Sequence, residues 1–146
     1  MAQASSVAAI RSRIVIIEDD RNIALLLAYN LQSAGHDIAV IASGDGAVEA
    51  LFRLTPTLVI LDWGLPILSG IEVLRQFRAH SGLRTVPVIM LTARNHPDDR
   101  SRAMAMGADV FLSKPFAMLD LMRHVENLVG CREIRPAACL AALRQS

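Results

Sequence analysis

Apolar positions along the chain follow two rhythms. Continuous short runs occupy residues 14–17, 57–61 and 86–91, and they are rich in Val and Ile. Runs of that length and β-branched content read as strands buried on both faces of a parallel sheet. Residues 37–41 and 109–113 read as two further short strands. Between these runs the apolar spacing changes to three and four residues. Ile23, Leu26, Leu27, Leu31 and Ala34 form one helical stripe, with Gly35 suited to the position just past its end. Ala47, Val48, Leu51 and Phe52 form a second, stopped by Thr55-Pro56. Ser69-Gly70-Ile71-Glu72 reads as a capping box that opens a third helix, carrying Ile71, Leu74 and Phe77. A fourth helix over 97–106 is polar at 98–102 and ends at Gly107; a fifth carries Leu121, Val125, Leu128 and Val129. Five such strand–helix units predict an α/β fold, a five-stranded parallel sheet doubly wound with five helices.

Polar residues at the strand ends add chemistry to this pattern. The third strand ends in Asp62, and the first runs into Glu18-Asp19-Asp20. Carboxyl ends of parallel strands form the rim where open α/β sheets place their ligands. Several carboxylates at one rim repel one another and raise each other's pKa. A hydrated Mg²⁺, a hard cation with a preference for oxygen ligands, relieves that repulsion. The fourth strand ends in Thr92-Ala93 and the fifth in Lys114-Pro115. Carboxylates, a hydroxyl and an ammonium together suit a phosphoryl group, whose oxygens the Lys and a cation neutralise. Asp62 is the candidate nucleophile, because a carboxylate forms an acyl phosphate.

Composition narrows the picture without changing it. The chain has 146 residues, enough for one domain with its own core. Basic and acidic residues number 15 and 14, which gives no general attraction to nucleic acid. Apolar residues make up 53%, yet no run approaches the ~20 residues of a membrane span. The first ten residues lack the basic start of a secretory signal. Cys131 and Cys139 have no zinc-site spacing and read as spectator thiols, which points to a cytoplasmic protein. His36, His80, His96 and His124 fall on expected loops or helix surfaces with no mutual spacing, so they read as solvated and not as phosphoryl donors.

In order and spacing, five short strings resemble a bacterial two-component response-regulator receiver domain: Ile17-Glu18-Asp19-Asp20, Leu61-Asp62-Trp63-Gly64-Leu65-Pro66, Leu91-Thr92-Ala93, Gly107-Ala108-Asp109 and Lys114-Pro115-Phe116. The Asp-Trp-x-Leu-Pro string and the Lys-Pro-Phe ending look most like the OmpR/PhoB subfamily. The resemblance implies the flavodoxin-like receiver fold and a phosphoryl group received on Asp62 from a sensor histidine kinase, with Mg²⁺ as cofactor. It further implies Asp19, Asp62 and the backbone carbonyl of Gly64 as metal ligands, with Glu18 acting through water. Lys114 resembles the residue that pairs first with the acceptor and later with the phosphoryl group, and its bond to Pro115 is implied to be cis. Thr92 resembles the switch hydroxyl, and Phe111 the switch aromatic or a plain core ring. Asp20 reads either as part of the acidic cluster or as the N-cap of the first helix.

The resemblance covers about residues 13–129, the expected receiver domain, flanked by a mobile extension at 1–12 and a tail at 130–146. Within the tail, 132–136 read as a linker and 137–143 are wholly apolar, a candidate association segment for a homodimer. The subfamily's usual dimer face is degraded: Arg100 and Asp120 fit one ion pair, but Val110, His124, Ala105 and Glu126 do not complete the others. The expected function is therefore a stand-alone phosphoacceptor that signals or relays through protein contacts, without nucleic acid or membrane partners. Two alternatives stand beside it. One is the receiver half of a DNA-binding regulator. The other, an aspartyl-phosphate hydrolase, needs a general acid two residues past the nucleophile, where this chain has Gly64.

Overall fold

The computed structural model describes residues 12–93 and 97–134. Strands β1 (Arg13–Ile17), β2 (Asp37–Ile41), β3 (Leu58–Asp62), β4 (Val88–Thr92) and β5 (Val110–Ser113) alternate with helices α1 (Arg21–Ser33), α2 (Ala47–Leu54), α3 (Gly70–Ala79), α4 (Pro97–Ala105) and α5 (Met118–Ile134). All strand pairs are parallel, in the order β2-β1-β3-β4-β5.

Strand side chains alternate between two cores. Val15, Ile17, Val59, Leu61, Val88 and Met90 pack with Leu51 of α2, Leu74 and Phe77 of α3, and Ala103 of α4. Ile14, Ile16, Leu58, Ile60, Ile89 and Leu91 pack with Leu27 and Leu31 of α1 and with Leu121, Val125 and Leu128 of α5. Three helices thus cover one face and two the other. Every residue of β3 and β4 is buried, which explains their unbroken apolar runs. The strand order reverses between β1 and β3, so the carboxyl ends of these two strands open a crevice between helices of opposite faces.

Several expectations need correction. Ser12 is buried and its carbonyl accepts the N–H of Asp37, so this residue packs with the sheet and is not part of a mobile extension. Leu26 is exposed and Ala24 takes its place in the α1 stripe. β4 starts at Val88, because Pro87 has no N–H and Val86 instead bonds back to Leu83. Ser69 caps α3 by position, but its side chain makes no cap bond, and Glu72 accepts from Arg75 and Gln76 instead of closing a box. Those bonds, Arg75 first, hold the Glu72 carboxyl down at about 2. Helix α5 runs through Gly130 to Ile134, so residues 132–134 are helical and not linker. His36 is not solvated. Its side chain is 9% exposed and its Nε2 lies 3.3 Å from Glu126 on α5, because the α1–β2 turn packs against that helix. The 137–143 segment, Cys139, His96 and residues 1–11 of the extension lie outside the described residues.

One unforeseen side chain ties the amino ends of β4 and β5 to α3. The Arg78 guanidinium donates to the carbonyls of Gly107 (2.7 Å), Val86 (2.6 Å), Leu83 (3.2 Å) and Arg84 (3.1 Å). It also pairs with Asp109 Oδ2 at 3.2 Å, and the same oxygen accepts the Val88 N–H at 2.9 Å. Gly107 has φ +112°, and a Cβ there would lie 2.8 Å from Arg78 Nε, so the turn demands glycine twice over. The Gly107-Ala108-Asp109 string thus serves the opposite end of the sheet from Asp62.

Candidate functional site

Three strand ends converge on Lys114. Its Nζ lies 3.0 Å from Asp62 Oδ1 and 3.0 Å from Glu18 Oε1. Glu18 follows β1, Asp62 closes β3, and Lys114 follows β5 across the intervening β4. The chain after β5 is aimed by Lys114 N–H bonding to the Thr92 carbonyl at 2.7 Å, and the Lys114–Pro115 bond is cis. On the other side, Glu18 N–H bonds to the Ile41 carbonyl of β2, which carries the β1 end in register with its neighbour. Glu18, Asp62 and Thr92 are all buried; Asp19 is exposed.

Sequence reasoning brought Asp62 and Lys114 together but missed the direct Glu18–Lys114 pair. A carboxylate and an ammonium 96 residues apart leave no local signature. Burial pushes the Glu18 carboxyl up, and the Asp62 charge adds to it; the Asp20 N–H, 3.0 Å from Oε2, and Lys114 pull it back only in part. For Lys114, burial is the largest single influence and favours the neutral amine. The hydrogen bonds and fields of Glu18 and Asp62 together outweigh it, and its pKa is raised.

Asp20 resolves as the N-cap of α1. Its Oδ1 accepts the N–H groups of Asn22 and Ile23 at 2.9 and 3.2 Å. The acidic cluster comprises Glu18, Asp19 and Asp62, with one carboxylate oxygen of each within 4.8 Å of the others. Three carboxylates face one ammonium, and Asp19 leaves the group open to water. An all-oxygen, net-negative cluster with one exposed carboxylate fits a hard divalent cation such as Mg²⁺.

The loop after β3 returns to its starting point. Gly70 N–H bonds to the Trp63 carbonyl at 2.8 Å, and a Cβ on Gly70 would lie 2.1 Å from the Asp62 carbonyl. Only glycine permits that approach, and it fixes the strand end against the start of α3. Trp63 is buried, with its ring edge-on to Phe111 at 6.4 Å and Arg102 of α4 lying over it at 5.9 Å. Phe111 is buried as well. Arg100 lies 5.8 Å over its ring and donates to its carbonyl at 3.4 Å. Two guanidinium–ring contacts thus join α4 to residues beside the site, and no apolar period announces them.

Comparison with known proteins agrees with this geometry. A family model described as "Response regulator receiver domain" matches residues 14–126, and the chain belongs to that family. The phosphate regulon transcriptional regulatory protein PhoB of Rhizobium meliloti is 39% identical over 132 residues, which cover 90% of this chain and 57% of PhoB. The chain therefore spans little more than half the length of that relative. Among solved structures, a putative response regulator from Chloroflexus aurantiacus superposes with TM-score 0.77 at 29% identity, over 82% of this chain and 98% of the other. The receiver domain of the sensor histidine kinase PA1611 from Pseudomonas aeruginosa, solved with magnesium coordinated in its active-site cleft, superposes with TM-score 0.75 at 30% identity, over 82% and 98%. The chain is thus a receiver domain of two-component signalling, with the CheY-like, flavodoxin-like fold. No helix among the described residues is long and apolar enough to cross a membrane.

Proposed function

We propose that this receiver accepts a phosphoryl group on Asp62 from a phosphohistidine of a sensor kinase. The observation that carries the reading is the Asp62 carboxylate, held at a strand end 3.0 Å from Lys114 and clustered with Glu18 and Asp19. An Asp62 oxygen forms the new O–P bond as the donor's N–P bond breaks. The electron pair stays on the ring nitrogen, which takes a proton from solvent. Lys114 moves from neutralising Asp62 to neutralising the phosphoryl oxygens, and Glu18 keeps its ammonium positioned throughout. Asp19, Asp62 and the Gly64 carbonyl would hold Mg²⁺, with Glu18 acting through water. Bound there, the ion would supply positive charge to the phosphoryl oxygens. Thr92, buried at the end of β4, donates its hydroxyl to the phosphoryl group. Phe111, packed between Trp63 and Arg100, then repacks and passes the change to α4 and β5.

Acetyl phosphate tests the assignment. With Mg²⁺ the chain should gain the mass of one phosphoryl group, and Asp62→Ala should gain none. Label that persists in that variant would sink the role of Asp62. The output is a protein contact in our reading. The length of the PhoB relative favours a second reading, in which a DNA-binding region continues the chain. Intact mass of the protein isolated from its native cell separates the two.

A further inference from the structure

Ile67 carries two penalties, one in its backbone and one in its exposure. Its φ is +70°, and the Leu68 N–H bonds to the Pro66 carbonyl at 2.7 Å across it. That combination is a γ-turn of the strained, positive-φ kind, centred on a β-branched residue. The residue is also 82% exposed, more than any other large apolar residue among those described. A glycine would relieve both penalties. The turn cannot relax by drifting, because Leu65 is buried and Leu68 packs against the core on either side.

The loop that presents Ile67 starts and ends at Asp62. It leaves the strand at Trp63 and is closed by the Gly70–Trp63 hydrogen bond, with Gly70 pressed on the Asp62 carbonyl. Any protein that brings a phosphohistidine to Asp62 must lay its surface over this rim. A small donor such as acetyl phosphate reaches the carboxylate without covering the loop. An exposed, braced, apolar side chain at that place is suited to be covered by a macromolecule, as binding anchors are.

We propose that Ile67 is a specificity-determining contact for protein phosphodonors: an apolar anchor covered by the donor's histidine-bearing surface and irrelevant to small-molecule donors. This rests on the function proposed above. It assigns to Ile67 the discrimination between donor classes, while Asp62, Lys114 and Glu18 serve both.

The test compares wild type, Ile67→Gly and Ile67→Val with two donors in Mg²⁺. One is acetyl phosphate. The other is the autophosphorylated cytoplasmic core of whichever sensor kinase of the source organism labels the wild-type chain fastest. Ile67→Gly should keep its acetyl phosphate rate within about twofold and lose at least about tenfold in kcat/KM from the kinase, mainly through KM, as expected for one uncovered apolar anchor. Ile67→Val should stay near wild type with both, and Ile67→Gly should melt at a higher temperature. Unchanged kinase transfer in Ile67→Gly, or an equal loss with both donors, overturns the proposal. A wild-type chain that takes label from acetyl phosphate but from no kinase overturns the functional reading as well, and is told apart by that pattern.

Discussion

Glu18 shows how one buried side chain links stability to function. Its carboxyl is pushed up by burial, so its ionised form is disfavoured in the folded protein even with Lys114 beside it. A group whose folded pKa is raised contributes stability that is present below its unfolded value and is lost as pH climbs through the folded one. Without metal, Glu18→Gln should therefore melt higher than wild type at pH 7. The difference should vanish near pH 4, where both side chains are neutral. Calorimetric melting curves in EDTA across that range check the sign, and a variant less stable at pH 7 contradicts it. Asp19 differs in kind: it is exposed, and its neutralisation should leave the fold nearly unchanged. Mg²⁺ should raise the melting temperature of the wild type by mass action, and Asp19→Asn should abolish that rise.

At the scale of elements, helix α4 and the amino ends of β4 and β5 depend on a few polar anchors. Only Ala103 of α4 is buried, so contacts of Arg100 with Phe111 and of Arg102 with Trp63 do much of its positioning. Trp63 is the sole tryptophan and directly follows Asp62. Its fluorescence should shift or quench as millimolar Mg²⁺ is added, and Arg102→Ala should alter the starting spectrum. A spectrum indifferent to both changes would show that the ring senses neither. The Arg78–Asp109 pair is the stiffer anchor, with side chains 14% and 2% exposed. Removing one partner of such a pair leaves a buried charge and several carbonyls unsatisfied. Arg78→Ala should lose about 3–5 kcal/mol in urea unfolding, far more than Arg123→Ala at the exposed Asp120 pair, where a loss of about 0–1 kcal/mol is expected.

Across the whole molecule, the doubly wound sheet explains why the site lies where it does. The order reversal beside β1 opens the crevice, and parallel strands bring their carboxyl ends to one edge. The two ends of the sheet then have separate roles. The Glu18, Asp62 and Lys114 edge gathers the proposed phosphoryl chemistry, while the Arg78 and Asp109 edge holds the frame together. Substitutions at the second edge should lower stability without changing the acetyl phosphate rate measured well below the melting temperature. On the first edge the reverse should hold.

Much of this was legible in the chain itself. Apolar runs and helical stripes are local, because period depends on neighbouring residues alone, and they located all five strands and helices to within a few positions. Acidic, hydroxyl and ammonium residues at the strand ends marked the rim, because a parallel sheet aligns those ends whatever the loops do. What depended on distant partners was not legible. Glu18 meets Lys114 and His36 meets Glu126 only because β1, β5 and α5 pack in this order. Glu72 turns to Arg75 instead of capping its helix, a competition between two local partners that spacing cannot rank. Ile67 reads as an ordinary apolar residue until the return of its loop to Asp62 forces a positive φ on it. Sequence pattern determined which segments are buried and where the chemistry gathers. Tertiary structure decided the distant pairs beyond Asp62–Lys114, because long-range pairing is set by strand order and loop closure, and neither is written in the spacing of any one segment.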